Sequence, residues 1–182
     1  MTAVQAEDVV DVLLTHHAVI EQQFRAVAAA ARKPAKRAAF AELARLLTVH
    51  ETIEQELVHP WAVTHIDAGA EVVADRMDEE HRADEVLAEM FEIEVNDADF
   101  DQLLQGLKES VLTHAKHEER YEFPHLRQAG PPQRLLDLAV AVQQAFDTAP
   151  TKLPSADRGA TARLEAIREQ VRETIHASAE DQ

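Results

Sequence analysis

Two stretches of this 182-residue chain, HETIEQELVHP at 50–60 and HAKHEERYEFP at 114–124, carry one chemical phrase: a histidine, a glutamate four residues on, and a proline six beyond that. Residues i and i+4 of an α-helix lie one above the other, so each phrase aims an imidazole and a carboxylate at one spot. His17 with Glu21 and His81 with Glu85 repeat the spacing. Imidazole nitrogens and carboxylate oxygens together are the donors of a metal site.

Subtraction of positions points to duplication. His17 and His81, Glu21 and Glu85, His50 and His114, Glu54 and Glu118, and Pro60 and Pro124 each stand 64 residues apart. The chain reads as one helical hairpin written twice, and two such hairpins packed about an approximate two-fold axis bring their His/Glu columns face to face. Buried charges without compensation cost several kcal/mol each, so a cluster of this kind requires cations among it. Two iron ions fit best, because imidazole suits iron and bridging carboxylates suit a hard metal inside a helical bundle.

The elements that must position these groups are helical. Apolar residues at three- and four-residue steps predict a first helix from Glu7 to about Arg32, through Leu13, His17, Ile20, Phe24 and Val27. A second, about 35–66, runs through Phe40, Leu43, Leu47, His50 and Glu54, with Pro60 kinking it or ending its regular part. A third, about 70–95, is read through Val73, Met77, His81, Glu85 and Phe91, and NDAD closes it. A fourth, about 99–126, passes Leu103, Leu107, Val111, His114 and Glu118 and stops at Gln128–Pro132.

The expected fold is therefore all-α, an up-down-up-down four-helix bundle over 1–130. Residues 131–182 add a shorter helix at 134–146, a proline-bearing linker and a terminal amphipathic helix bearing Leu164, Ile167, Val171 and Ile175. That last helix has three possible fates: docking on the bundle, meeting another subunit, or partial disorder.

Composition narrows the function. Thirty-four acidic against 18 basic residues give a net charge of −16, which repels nucleic acid and anionic membrane surfaces. No apolar run of ~18 residues is present, and the N-terminal residues lack a signal-peptide layout, so a soluble cytoplasmic protein is expected. Cysteine is absent, which removes thiolate nucleophiles, iron–sulfur clusters and cysteine-held zinc. The ten histidines are then the feature to explain.

HAVIEQQF (17–24), HETIEQELVHP (50–60), EEHRADEVL (79–87) and HAKHEERYEFPHL (114–126) together resemble the hemerythrin-like, or HHE cation-binding, family of non-haem diiron four-helix bundles, over roughly residues 8–128. The resemblance implies His17 and His50 as terminal ligands of one iron, His81 and His114 of the other, and Glu54 and Glu118 as bridges between oxo- or hydroxo-linked ions. His17 is preferred to His16 because Ile20 and Phe24 follow it at the family's spacing. Glu85 stands where oxygen carriers of the family have histidine, and Glu118 where they have aspartate one residue later. An anionic terminal ligand favours the ferric state, which points away from reversible oxygen carriage and toward catalase- or peroxidase-like chemistry.

Glu21 and Glu85 are read either as ligands or as acceptors for imidazole N–H groups, and Tyr121 as a residue within reach of the pocket. His16, His117 and His125 are read as surface residues or hydrogen-bond partners, as more remotely are His59, His65 and His176, and Trp61 as a cap on the core. The implied ligand is hydrogen peroxide, nitric oxide or dioxygen. The alternatives are an oxygen or redox sensor, an iron-holding module without turnover, and a zinc- or manganese-loaded structural bundle.

Overall fold

In the computed structural model, which describes residues 7–155 and 158–180, every regular element is a helix. Helix α1 (Val9–Ala29) runs antiparallel to α2 (Lys33–Ile53), which continues through a π-helical turn, Glu54–Val58, into α3 (His59–His65). The second hairpin repeats the plan with α4 (Gly69–Phe91), α5 (Ala98–His117), a π turn at Glu118–Glu122, and α6 (Phe123–Ala129). Helices α7 (Pro132–Thr148) and α8 (Ala160–Glu180) complete the chain. No helix among the described residues is long and apolar enough to cross a membrane.

Helix α1 starts where it does because Asp8 caps it. Its Oδ1 accepts from the Val10 and Asp11 amides at 2.9 and 3.1 Å, while Asp11 Oδ2 accepts from the Asp8 amide at 3.1 Å, so orphan first-turn donors are satisfied. Arg127 of α6 then clasps both acids, Nε to Asp8 at 2.8 Å and Nη2 to Asp11 at 2.6 Å. The end of the second hairpin is thereby tied to the beginning of the first.

Two apolar clusters fill the interior. One, toward the α3/α6 end, gathers Leu13, Ile53, Trp61, Phe123 and Leu126 with Leu138, Val142, Ile167 and Val171. The other, toward the loops, gathers Ile20, Phe24, Phe40, Leu43, Leu87, Phe100 and Leu107 with Leu164. Helix α8 contributes to both clusters, so of the fates open to it, docking on the bundle is the one observed. The ligating side chains lie on the helix segments between the two.

The two π turns are local consequences of Pro60 and Pro124. A proline ring has no N–H and collides with the carbonyl four residues back. Here the preceding turn widens, and the amides of His59 and Phe123 bond five residues back to the Glu54 and Glu118 carbonyls. The regular α-helix thus ends at Ile53 and His117, but the rod continues. An extra residue per turn shifts the downstream side chains around the axis, and such turns occur frequently at functional sites.

Gly69 sets where α4 begins. A Cβ there would overlap the carbonyl oxygen of Ala62 in α3 and stand 3.0 Å from its carbonyl carbon, so only glycine permits this approach of backbone to backbone. We expect Gly69→Ala to destabilise the protein by about 1–3 kcal/mol, the usual cost of overpacking. Thermal denaturation followed by circular dichroism checks it, and an unchanged midpoint refutes the tight contact.

Candidate metal centre

Helices α1, α2, α4 and α5, with the π turns that end α2 and α5, deliver six side chains to one buried layer. His17, His50, Glu54 and Glu118 form one group, and Glu54, Glu80, His114 and Glu118 a second. In each group one donor atom per residue lies within 4.8 Å of the others. Glu54 and Glu118 belong to both. The two oxygens of Glu118 face different histidines, Oε2 to His17 Nε2 and Oε1 to His114 Nε2, each at 3.2 Å. His50 Nε2 stands 3.3 Å from Glu54 Oε2.

The imidazoles are held from behind. His17 Nδ1 donates to Glu119 at 2.9 Å and His114 Nδ1 to Glu79 at 3.0 Å, which leaves each Nε2 directed inward. Glu79 is itself held by His117 and Arg76. A carboxylate behind an imidazole fixes the tautomer and ring orientation of a metal ligand. Glu80 accepts from His59 Nε2 at 3.1 Å and from Gln55 Nε2 at 2.5 Å, and His59 Nδ1 faces Glu122 Oε1 at 3.6 Å.

Hydrogen bonding within the layer is incomplete. Among the described residues, Glu54, Glu118 and Glu122 are buried with both carboxylate oxygens lacking a hydrogen-bond partner, as are His17 Nε2 and His114 Nε2. Burial, with Glu118 beside it, pushes the Glu54 carboxyl well up. Burial would raise Glu118 too, but His114 and His17 hold it well below the usual range. Burial disfavours an imidazolium at His114 and His59, yet Glu118 and Glu79 push the first up to about 12, and Glu122 and Glu80 push the second up to about 10. Burial and the neighbouring His17 keep His50 neutral. Orphaned inward-facing nitrogens and oxygens, braced from behind, fit a bound cation, which either four-residue group could hold.

Of the residues singled out from sequence, His17, His50, Glu54, His114 and Glu118 come together. His81, Glu85 and Glu21 do not. The side chains of His81 and Glu85 are 76% and 69% exposed and pair with each other at 3.6 Å, and Glu21 pairs with Arg25 at the surface. Tyr121 is also exposed, beside Arg120 and His117.

The reason lies in helical phase. Steps of four residues, 73, 77, 81, 85, drift about 40° around the axis each time, and Met77 already faces out. The buried stripe of α4 alternates steps of three and four, Val73, Arg76, Glu80, Ala83, Leu87 and Met90. This stripe repeats Val10, Leu13, His17, Ile20, Phe24 and Val27 of α1 at an offset of 63. The α2/α5 pair keeps 64, as in Phe40 and Leu104, Leu43 and Leu107, and Leu47 and Val111. Glu80, not His81, is thus the counterpart of His17.

His59 and Glu122 are also buried at the layer's edge. Glu122 follows Glu118 by four residues and shares its face, whereas His59 stands five after Glu54, a position that 3.6 residues per turn puts about 140° away and the wider π turn draws back toward it. His16 is buried but belongs to neither donor group; it stacks on Phe146 with centroids 4.0 Å apart, and burial and His17 lower its pKa to about 4. His65 stacks on Trp61, His125 bonds the Tyr121 carbonyl, and His176 approaches Glu56.

A comparison with curated proteins gives no match. Among solved structures, a hemerythrin HHE cation-binding domain-containing protein from Mycobacterium kansasii shares the fold, with a TM-score of 0.67 over 90% of this chain and 89% of that one, at 21% identity. The family description "Hemerythrin HHE cation binding domain" matches residues 8–126. Its span runs from the Asp8 cap to Leu126 of α6 and holds every side chain of the buried layer, and the chain belongs to the hemerythrin HHE cation-binding domain family.

Proposed function

We propose that the layer holds two iron ions and consumes a small oxidant, hydrogen peroxide before nitric oxide or dioxygen. His17 and His50 serve one ion, Glu80 and His114 the other, and Glu54 and Glu118 lie between them. The observation that carries this reading is the sharing of Glu54 and Glu118 by two overlapping donor groups, with each oxygen of Glu118 turned to a different histidine. Glu80 takes over the anionic role assigned to Glu85 from sequence. A carboxylate in place of an imidazole favours the ferric state, so turnover of peroxide is preferred to reversible carriage.

Bound iron would supply a redox couple able to take two electrons from one peroxide, releasing dioxygen and two protons, and to pass them to a second, releasing two waters. The protein's part is positional. Glu119 and Glu79 keep Nδ1 of His17 and His114 protonated so that Nε2 is free. His59 and Gln55 fix the carboxylate of Glu80. The apolar clusters lie on both sides of the layer and hold its helices in register.

A second reading, an iron-dependent sensor, is favoured by one contact. Arg168 of α8 pairs with Asp84, one helical turn beyond Glu80, and lies 4.0 Å from Glu51, next to His50. Protease sensitivity of α8 that changes with oxidation state, without peroxide turnover, selects this reading.

Iron-loaded protein should evolve dioxygen from peroxide in an oxygen-electrode assay, and inertness with full iron content refutes turnover. Glu80→Ala should lose at least one of the two metals by elemental analysis, whereas His81→Ala and Glu85→Ala should retain both. Glu79→Ala should weaken metal affinity about 10–100-fold, as loss of a carboxylate behind a ligating histidine does.

The metal-free protein should lose thermal stability as pH rises from 6.5 toward 10. The folded state keeps protons on His59 and His114, raised to about 10 and 12, that the unfolded chain has released above 6.5. Glu54, also raised, adds in the same direction. A midpoint constant across that range contradicts the charge assignment.

A further inference from the structure

The duplication is unequal at two positions beside the centre. Ile20 of α1 has Ala83 as its counterpart on α4, and Leu47 of α2 has Val111 on α5. Between them the second hairpin lacks four carbon atoms that the first possesses. Ile20 and Leu47 are 3% and 1% exposed, and they pack in the apolar cluster on the loop side of the layer.

On the α4/α5 side the missing volume is open. A cavity of about 340 Å³ extends from exposed Arg82, Glu109 and Ser110 to His17, His50, Glu80 and His114, with Ala83 and Val111 in its wall and Ile20 and Leu47 also lining it. One water molecule occupies about 30 Å³ of liquid, so the space exceeds what a peroxide molecule needs. Its outer end is polar and carries both signs of charge, and its middle is apolar.

We propose that this cavity is the route by which external ligands reach the centre, and that Ala83 and Val111 set its width. The route suits small molecules that are neutral or carry one charge, hydrogen peroxide among them, and it excludes branched hydroperoxides at the Ala83–Val111 passage. The assignment rests on the reading of the layer as a metal centre for a small oxidant, and it adds the side of entry and the residues that select by size. Neither residue supplies a donor atom, so narrowing the passage leaves the ligand set intact.

Two measurements test the route, and one of them needs no metal. Crystals of the full chain, with or without iron, pressurised with xenon should show density between Ala83 and Val111, since xenon enters apolar cavities, and Ala83→Phe should abolish it. Absence of xenon there in the wild type overturns the route.

In iron-loaded protein, azide association followed by the change in visible absorption should slow about tenfold or more in Ala83→Phe, with metal content unchanged, because access governs the association rate. An unchanged rate overturns the proposal. Should Ala83→Phe fail to fold, Val111→Ala decides. With ascorbate supplying the two electrons that reduce either peroxide, it should raise consumption of tert-butyl hydroperoxide (to tert-butanol and water) relative to hydrogen peroxide several-fold, because a wider passage admits the branched substrate, and an unaltered ratio refutes the size selection. If the wild type binds no iron, the function proposed for the layer falls and the xenon result alone decides the route.

Discussion

Placing four imidazoles and four carboxylates, His17, His50, His59 and His114 with Glu54, Glu80, Glu118 and Glu122, in a buried layer is the constraint that governs this molecule. Removing an ionised group from water costs several kcal/mol unless charge or hydrogen bonds replace the lost hydration. The protein replaces part of it, through Glu119 and Glu79 behind two histidines and Gln55 and His59 against Glu80. It leaves the inward oxygens of Glu54 and Glu118 without hydrogen bonds among the described residues. Apolar clusters above and below flank that layer, so the folding free energy of the two halves is spent in keeping unsatisfied donors in register.

Much of this was legible from residue spacing. Four amphipathic runs and two His-x-x-x-Glu-x5-Pro phrases define the antiparallel bundle, and α1, α2 and α5 carry His17, His50 and His114 on the stripe the apolar residues mark. The third run misled because Val73, Met77, His81 and Glu85 look periodic at a step of four. A step of four tracks a helix face only briefly, and the phase is settled by Leu87 and Met90, which fall in with Glu80 and Ala83. An offset of 63 for one helix pair and 64 for the other held this information, but a single offset imposed on the whole repeat concealed it.

The π turns account for the remaining differences. Pro60 and Pro124 announce an interruption, but the sequence does not state whether the helix kinks, stops or widens. Widening keeps the rod continuous and adds one residue to the turn, which brings His59 to the layer from a position that ordinary helical counting puts elsewhere. The roles of Glu79 and Glu119 likewise depend on packing between helices, since neither shares a helix with the histidine it orients across the bundle.

The absence of cysteine has a bearing on wear. A centre made wholly of nitrogen and oxygen donors, in a chain without thiols, offers an oxidant no sulfur ligand to destroy. Among the described methionines, Met90 is sealed within an apolar cluster, while Met77 stands half in solvent on α4, three residues before Glu80. A thioether in that position becomes a sulfoxide without disturbing the interior, so oxidative ageing would register first on an expendable atom and leave the donors as they were.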